Sequence, residues 1–119
     1  MHNSSLPIDW NNCLQRCNNN AALARDLLDM LAKELPRNKA AILKAHKNRS
    51  ITEMQQNIHK LHGACACCGA NTLQELLAKI EQELQNKPSP LSQGTLQSLI
   101  QEIDRTTEAI LKGTYLPTT

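Results

Sequence analysis

The sequence predicts an all-α protein, an up-down bundle of four helices preceded by one short helix. Its 119 residues include 18 leucines, 12 alanines and 8 isoleucines, but no valine, no phenylalanine, one tryptophan and one tyrosine. This composition argues against a sandwich, a barrel or a parallel sheet. Apolar residues instead recur at helical spacing over several long segments. A chain of this length forms one domain, 1–119, and we expect its core over about 6–113, between short tails at 1–5 and 114–119.

Charge, aromatic content and cysteine usage exclude several classes of function. Thirteen basic and eleven acidic side chains give a formal net charge of +2, too small for a nucleic-acid-binding surface, and two aromatic rings cannot form a stacking platform. No apolar run approaches the roughly 20 residues that span a bilayer, and the N-terminus does not resemble a signal peptide. Five cysteines, three of them within 65–68, favour a reducing cytoplasm over a disulfide scaffold. We therefore expect a cytoplasmic protein with no nucleic-acid partner and no direct membrane contact.

Capping residues and apolar spacing predict the first three helices. Asp9 and Asn20 are predicted N-caps of the first and second helices, and Ser50 with Glu53 forms a capping box for the third. Pro36 is expected to kink or interrupt the second helix, because its ring removes a backbone donor and clashes with the preceding turn. The predicted apolar positions are Trp10, Cys13, Leu14 and Cys17 in the first helix, and Leu23, Leu27, Leu28, Met30, Leu31 and Leu35 in the second, with helical pattern resuming through Ile42, Leu43 and Ala45.

The last two helices are predicted in the same way. Asn71 is the predicted N-cap of the fourth helix, which ends at the run 86–88. Ser89 followed by Pro90 is typical of an N-cap with proline at the first helical position, and the fifth helix ends near Gly113. The predicted core positions are Leu73, Leu76, Leu77, Ile80 and Leu84 in the fourth helix, and Leu96, Leu99, Ile100, Ile103 and Ile110 in the fifth. Short connections between long amphipathic helices make neighbours antiparallel.

The third helix, predicted from Ile51 to about Gly69, carries a histidine on the face opposite its core stripe. A rotation of 100° per residue places the apolar residues together and His59 away from them, with Gly63 one turn later. A glycine inside a helix costs about 1 kcal/mol relative to alanine, and its missing side chain would clear space for another molecule. The alternatives are an ordinary solvated histidine and a glycine that serves helix packing. The predicted core stripe is Ile51, Met54, Ile58, Leu61, Cys65 and Cys68.

This histidine lies in a run that resembles a known signature. The run His59-Lys60-Leu61-His62-Gly63-Ala64, with Gly69 closing the helix, resembles that of histidine-containing phosphotransfer (HPt) domains. In those domains the accepting histidine is followed by any residue, an aliphatic residue, a basic residue and glycine. Three further segments resemble the HPt module that ends hybrid sensor kinases of the BarA/GacS type: Pro7-Ile8-Asp9-Trp10, Leu23-Ala24-Arg25-Asp26-Leu27-Leu28 and Leu35-Pro36. The resemblance covers about residues 6–113.

The resemblance implies a relay intermediate in a phosphorelay and not an autonomous enzyme. A neutral imidazole takes a phosphoryl group from the aspartate of one receiver domain, and the receiver of a response regulator collects it. The receiver is expected to bring Mg²⁺, and this domain is expected to bind no cofactor or metal. We expect a monomer. The resemblance favours the C-terminal module of a hybrid kinase, whose other parts would be anchored in the inner membrane, over a free-standing protein. On the matched positions His59 is the phospho-acceptor, and the docking neighbourhood comprises Lys60, His62, Gly63, Ala66, Gln55 and Gln56.

Several alternatives stay open at this point. His62 stands where many relatives carry Lys or Arg, so two histidines are candidates, and the frame of the motif selects His59. Glu81, on the facing helix, is either a hydrogen-bond partner of the imidazole or an ordinary surface glutamate. The second function considered is a helix-bundle interaction module without phosphotransfer. A metal site of His62 and cysteines is disfavoured, because Cys65 and Cys68 lie on the apolar stripe, where free cysteines behave as small apolar residues; Cys67 is predicted to be exposed.

Overall fold

The computed structural model describes residues 6–116, which form five α-helices and no strand. The helices are α1 (Trp10–Arg16), α2 (Ala21–Lys47), α3 (Ile51–Ala66), α4 (Asn71–Asn86) and α5 (Gln93–Lys112). Successive long helices run antiparallel, α5 returns to pack against both α2 and α4, and α1 packs on α2. The predicted all-α up-down bundle with a short N-terminal helix is confirmed. The predicted tail residues 1–5 and 117–119 lie outside the described range, and no helix within it is long and apolar enough to cross a membrane.

Side-chain caps begin four of the five helices. In each, the side-chain oxygen of the capping residue accepts a hydrogen bond from the backbone N–H three residues later, at 3.0–3.2 Å. Such a bond stabilises a helix by about 1 kcal/mol, because it satisfies an amide that has no partner within the helix. The predicted N-caps of α1, α2 and α3 are therefore confirmed. The capping box predicted at Ser50 is only half formed, because the Ser50 N–H donates to the Ala45 carbonyl oxygen at 2.9 Å and not to the Glu53 side chain. The four capping residues are Asp9, Asn20, Ser50 and Ser92.

The predicted N-cap of α4 is wrong. Asn71 is the first helical residue, Ala70 precedes it, and no side chain caps this end. The amide of Asn71 instead donates to the Asp9 carboxylate at 3.3 Å, which connects the beginning of α4 to the beginning of α1. The side chain that the local pattern predicted as a helix cap therefore makes a tertiary contact instead.

The predicted start of α5 is also wrong by three residues. The helix begins after Ser92 and not after Ser89, so Pro90 lies in the connection. Burial explains the extended connection, because Leu91 is only 8% exposed and its carbonyl oxygen lies 2.9 Å from Nε2 of His46 on α2. The connection therefore packs on the bundle before α5 begins.

α2 continues without a break through Pro36, so the predicted interruption is wrong. An internal proline costs an isolated helix about 3 kcal/mol. Here the proline ring lies on the exposed face of α2, and α2 has buried residues both before and after the proline in sequence. The buried stripe is also displaced from the prediction, since Leu23, Met30 and Leu43 are exposed and small alanines take positions against the neighbouring helices. The buried residues of α2 are Ala24, Leu28, Leu31, Ala32, Leu35, Ile42 and Ala45.

Gly69 joins α1 to the turn between α3 and α4. Its φ of +72° lies in the left-handed region, and its carbonyl oxygen accepts a hydrogen bond from Asp9 N at 2.9 Å. A Cβ at this position would lie 2.8 Å from Asp9 O and 3.0 Å from Cys13 N, both backbone atoms. On the same small helix, Trp10 packs on Tyr115 with ring centroids 5.4 Å apart. The turn therefore requires glycine for both its backbone conformation and its close contact with α1.

We expect Gly69→Ala to lower the free energy of unfolding by about 2 kcal/mol, because left-handed backbone is costly for a residue with a Cβ and the α1 contact must shift. Urea unfolding followed by circular dichroism measures this. Gly94→Ala is the matched control, since a Cβ there meets nothing within 4 Å and alanine favours helix. Equal losses in the two variants would contradict the assigned role of Gly69.

Candidate functional site

α3 buries one face completely and leaves the opposite face open. Met54, Ile58, Leu61 and Cys65 are at most 3% exposed, as predicted. Of the other two predicted core positions, Ile51 is half-buried, and Cys68 is buried in the turn that follows α3, which ends at Ala66 and not near Gly69. The side chain of His59 lies on the opposite face of α3 and is 78% exposed. Helical geometry therefore fixes the imidazole in solvent at the middle of a rigid element.

One carboxylate on α4 holds two imidazoles on α3. Glu81 Oε2 lies 2.5 Å from Nδ1 of His59, and Glu81 Oε1 lies 2.8 Å from Nδ1 of His62. The two histidines can share one partner because residues three apart lie on the same side of a helix. The side chains of Glu81 and His62 are 21% and 28% exposed, so this contact lies at the half-buried rim between α3 and α4. Glu81 is therefore not an ordinary solvated surface residue.

The two hydrogen bonds also determine where the protons are. The hydrogen bond from His59, and with it the one from His62, holds the pKa of Glu81 below its ordinary value of 4.5, against partial burial, which raises it. Glu81 is thus ionised at neutral pH, and an ionised carboxylate only accepts hydrogen bonds. Both Nδ1 atoms must then carry the donated proton. A neutral His59 in this arrangement has its lone pair at Nε2.

The surface beside His59 is open. A Cβ added to Gly63 would meet nothing within 4 Å, so packing within this chain gives no reason for the glycine. Gly63 and Ala64 are both exposed. A partner molecule can therefore approach the backbone of α3 one turn from the imidazole.

The other predicted site residues surround this position. Lys60 and Gln56 are exposed, Ala66 is half-buried at the last residue of α3, and Gln55 donates to the Leu84 carbonyl oxygen at 3.4 Å. A groove between α3 and α4 adds two residues that were not predicted as part of the site, one of them a predicted core leucine. They follow Glu81 by three and four positions on its helix, and that spacing was the available signal. The groove is lined by Gln55, Gln56, His59, Glu81, Leu84 and Gln85.

The cysteines do not extend this site. Burial raises the pKa of the Cys65 and Cys68 thiols to about 12 and that of Cys13 to about 11. These thiols are therefore protonated at neutral pH, whereas a reactive cysteine nucleophile is a thiolate. Cys67 is exposed, as predicted. Within residues 6–116, no three His, Cys, Asp or Glu side chains are arranged to hold a metal ion.

An exposed histidine on a four-helix bundle, oriented by a carboxylate of the facing helix, is the arrangement expected of a phosphotransfer module. Residues 26–109 match the family model described as "Hpt domain", and the chain belongs to this family. HPt domains transfer phosphoryl groups through a histidine in phosphorelays, interact with receiver domains, and are modules of hybrid kinases, not autonomous enzymes.

Individual relatives agree with the family and confirm the resemblance to BarA/GacS-type modules. The chain is 36% identical over 87 residues to the signal transduction histidine-protein kinase BarA of Shigella flexneri, covering 71% of this chain and 9% of the kinase. It is 34% identical over 89 residues to the sensor protein GacS of Pseudomonas syringae pv. syringae, covering 74% and 10%. The chain thus spans about a tenth of the length of these relatives.

A solved structure supports the fold. The crystal structure of the HPT domain from a Shewanella hybrid histidine kinase superposes with a TM-score of 0.84 at 29% identity, covering 94% of this chain and 97% of that chain. The bundle described above is therefore shared with an experimentally determined HPt domain along nearly its whole length.

We expect the Glu81 carboxyl to titrate below its ordinary value of 4.5, and His59→Ala to raise that midpoint, because the His59 hydrogen bond is the largest cause of the shift. A carboxyl whose pKa is lower in the folded state stabilises that state above the unfolded pKa, and the contribution is lost as pH falls through the folded pKa. The free energy of unfolding of the wild type should therefore approach that of Glu81→Gln as the pH falls below 4.5. Carboxyl ¹³C NMR measures the midpoint. An unchanged midpoint in His59→Ala would contradict the assigned contact.

Proposed function

We propose that this domain is a relay intermediate in which Nε2 of His59 accepts a phosphoryl group from the aspartate of a receiver domain. His59 then passes the group to the aspartate of a response regulator. The observation that carries this proposal is the contact between Glu81 Oε2 and His59 Nδ1 at 2.5 Å, on a side chain that is 78% exposed. A carboxylate holds one ring nitrogen and leaves the other free to react with a second protein.

The accepting step follows from this arrangement. The lone pair of His59 Nε2 forms a bond to phosphorus while the aspartyl P–O bond breaks, and the aspartate leaves as a carboxylate. Nδ1 keeps its proton, so the ring becomes cationic, and the negative charge of Glu81 balances it. Transfer to the response regulator reverses these changes. The neutral imidazole is the nucleophile, because only its unprotonated nitrogen has a lone pair to donate.

The partner receiver supplies the rest of the chemistry. Phosphoryl transfer depends mainly on positioning and on neutralising phosphoryl charge, with Mg²⁺ in the usual case, and we assign Mg²⁺ to the receiver and no cofactor to this domain. Lys60, exposed next to His59, is available to balance phosphoryl charge. Gly63 provides the open surface for the receiver, and the Gln55, Gln56 and Ala66 positions complete the proposed docking neighbourhood.

We further propose that the domain works as the module of a hybrid sensor kinase in the cytoplasm. The similarity to BarA and GacS supports the first part, since this chain matches only a short portion of each. Five free cysteines support the second part, because a reducing compartment keeps thiols unpaired.

We expect the folded domain, mixed with a phosphorylated receiver and Mg²⁺ at neutral pH, to gain one acid-labile phosphate. The receiver of its own parent kinase is the preferred donor. His59→Gln should abolish the gain, because it removes the nucleophilic nitrogen, whereas His62→Gln should retain it. Intact-mass spectrometry of the three proteins measures the outcome.

Two results would contradict this assignment. Loss of phosphate in His62→Gln alone would move the accepting residue to His62. No phosphate on the wild type, with folding confirmed by circular dichroism, would favour an interaction module whose partner binding survives His59→Gln.

We expect Gly63→Ala to separate stability from transfer. Alanine should stabilise α3 by up to about 1 kcal/mol, because its Cβ meets no atom of this chain within 4 Å. The same methyl group should slow phosphoryl uptake about fivefold or more, since overpacking a close contact costs about 1–3 kcal/mol. A time course of phosphorylation measures the uptake rate, and urea unfolding measures the stability. Gly94→Ala is the control for transfer, and an unchanged uptake rate in Gly63→Ala would contradict the docking role of this surface.

A further inference from the structure

His62 is more enclosed than His59 and is bonded to the same carboxylate. Its side chain is 28% exposed, compared with 78% for His59, and Nδ1 lies 2.8 Å from Glu81 Oε1. Among the side chains of residues 6–116, Glu81 is the one that hydrogen-bonds the His62 ring. His62 also stands where the HPt signature has a basic residue, so its contact with Glu81 calls for a role of its own.

We propose that His62 is a positioning residue of the phosphotransfer site, and this rests on the function proposed for His59. Its Nδ1–H holds Oε1 of Glu81, and this fixes the carboxylate in the orientation that places Oε2 on His59 Nδ1. His62 therefore acts on the acceptor through Glu81 and does not itself accept the phosphoryl group.

The flexibility of glutamate is the physical reason for a second anchor. A glutamate side chain loses substantial rotamer entropy when it is fixed, and a contact with one highly exposed partner is weak, since water competes for both groups. A second charge-assisted hydrogen bond from a half-buried ring offsets that loss at the other oxygen. The carboxylate is then bound at both oxygens by two side chains of one rigid helix.

The orientation of Glu81 matters because it selects the tautomer of His59. In a neutral imidazole, the nitrogen that carries the proton is set by the hydrogen bond that the ring makes. With Oε2 on Nδ1, the proton is there and the lone pair is at Nε2. When Glu81 is free to move, a fraction of His59 adopts the Nε2–H tautomer, which has no lone pair at Nε2 with which to attack phosphorus.

Two substitutions at one position separate the hydrogen bond from the ring. His62→Asn keeps an N–H donor close to the position of Nδ1, whereas His62→Ala removes the donor and leaves a good helix former. The first readout is the tautomer of His59, measured by imidazole ¹⁵N NMR at a pH where the ¹⁵N shifts themselves show the ring to be neutral. Gln82→Ala, next to Glu81 and exposed, is the control for an unrelated change on α4.

We expect the wild type, His62→Asn and Gln82→Ala to hold His59 in the Nδ1–H form, and His62→Ala to shift it toward a mixture of both tautomers. The initial rate of phosphoryl uptake from a phosphorylated receiver should fall about three- to tenfold in His62→Ala, which corresponds to the loss of one hydrogen bond of ordinary strength, and should recover in His62→Asn. Circular dichroism confirms that the variants are folded.

The two readouts distinguish this proposal from the function on which it rests. An unchanged His59 tautomer in His62→Ala would overturn the positioning role, whether or not phosphoryl uptake changes. Equal losses in His62→Ala and His62→Asn would overturn it too, because the donor would then be irrelevant. The expected tautomer shift in a domain that takes up no phosphoryl group would support the contact and overturn the relay function alone.

Discussion

The burial of one apolar stripe on α3 is the constraint on which the site depends. Ile58 and Leu61 are fully buried in the bundle, and Met54 is nearly so. A rotation of α3 by one residue would expose such side chains at about 1.5–3 kcal/mol each and would turn an imidazole into the core. The orientation of α3 is therefore fixed by packing alone. That orientation places His59 in solvent and His62 against α4.

The second constraint is electrostatic and involves a single carboxylate. Glu81 on α4 accepts a hydrogen bond from each imidazole, and its lowered pKa keeps the carboxylate ionised at neutral pH. The proposed function therefore needs few parts: one nucleophilic nitrogen, one group that holds the other nitrogen, and an open surface at Gly63. This small set of parts is consistent with the proposed function, in which a receiver domain brings the phosphoryl group.

Local patterns predicted much of this arrangement. The periodicity of α3 identified its buried face and the exposed His59, and short-range capping predicted the starts of α1, α2 and α3. These features depend on residues within one or two turns of each other, which is the range that a sequence pattern reports. The family signature suggested a function for His59, which its position on a helix alone does not indicate.

The features that the sequence analysis missed depend on distant residues. α2 continues through Pro36 because packing on both sides of the proline offsets its cost, and α5 begins later than predicted because Leu91 is buried first. The Asn71 side chain donates a hydrogen bond to Asp9 and does not cap its own helix. In the site, the sequence placed Glu81 on the facing helix but did not show that it joins His59 to His62, because that requires the register between α3 and α4.

In the proposed mechanism, Glu81 leaves Nε2 of His59 as the reacting atom. Phosphorus–nitrogen connectivity in the phosphorylated domain tests it most directly, by ³¹P–¹⁵N correlated NMR on protein with labelled histidine. We expect phosphorus bonded to Nε2 of His59, with the proton still on Nδ1. Phosphorus bonded to Nδ1 of His59, or to either nitrogen of His62, would contradict it.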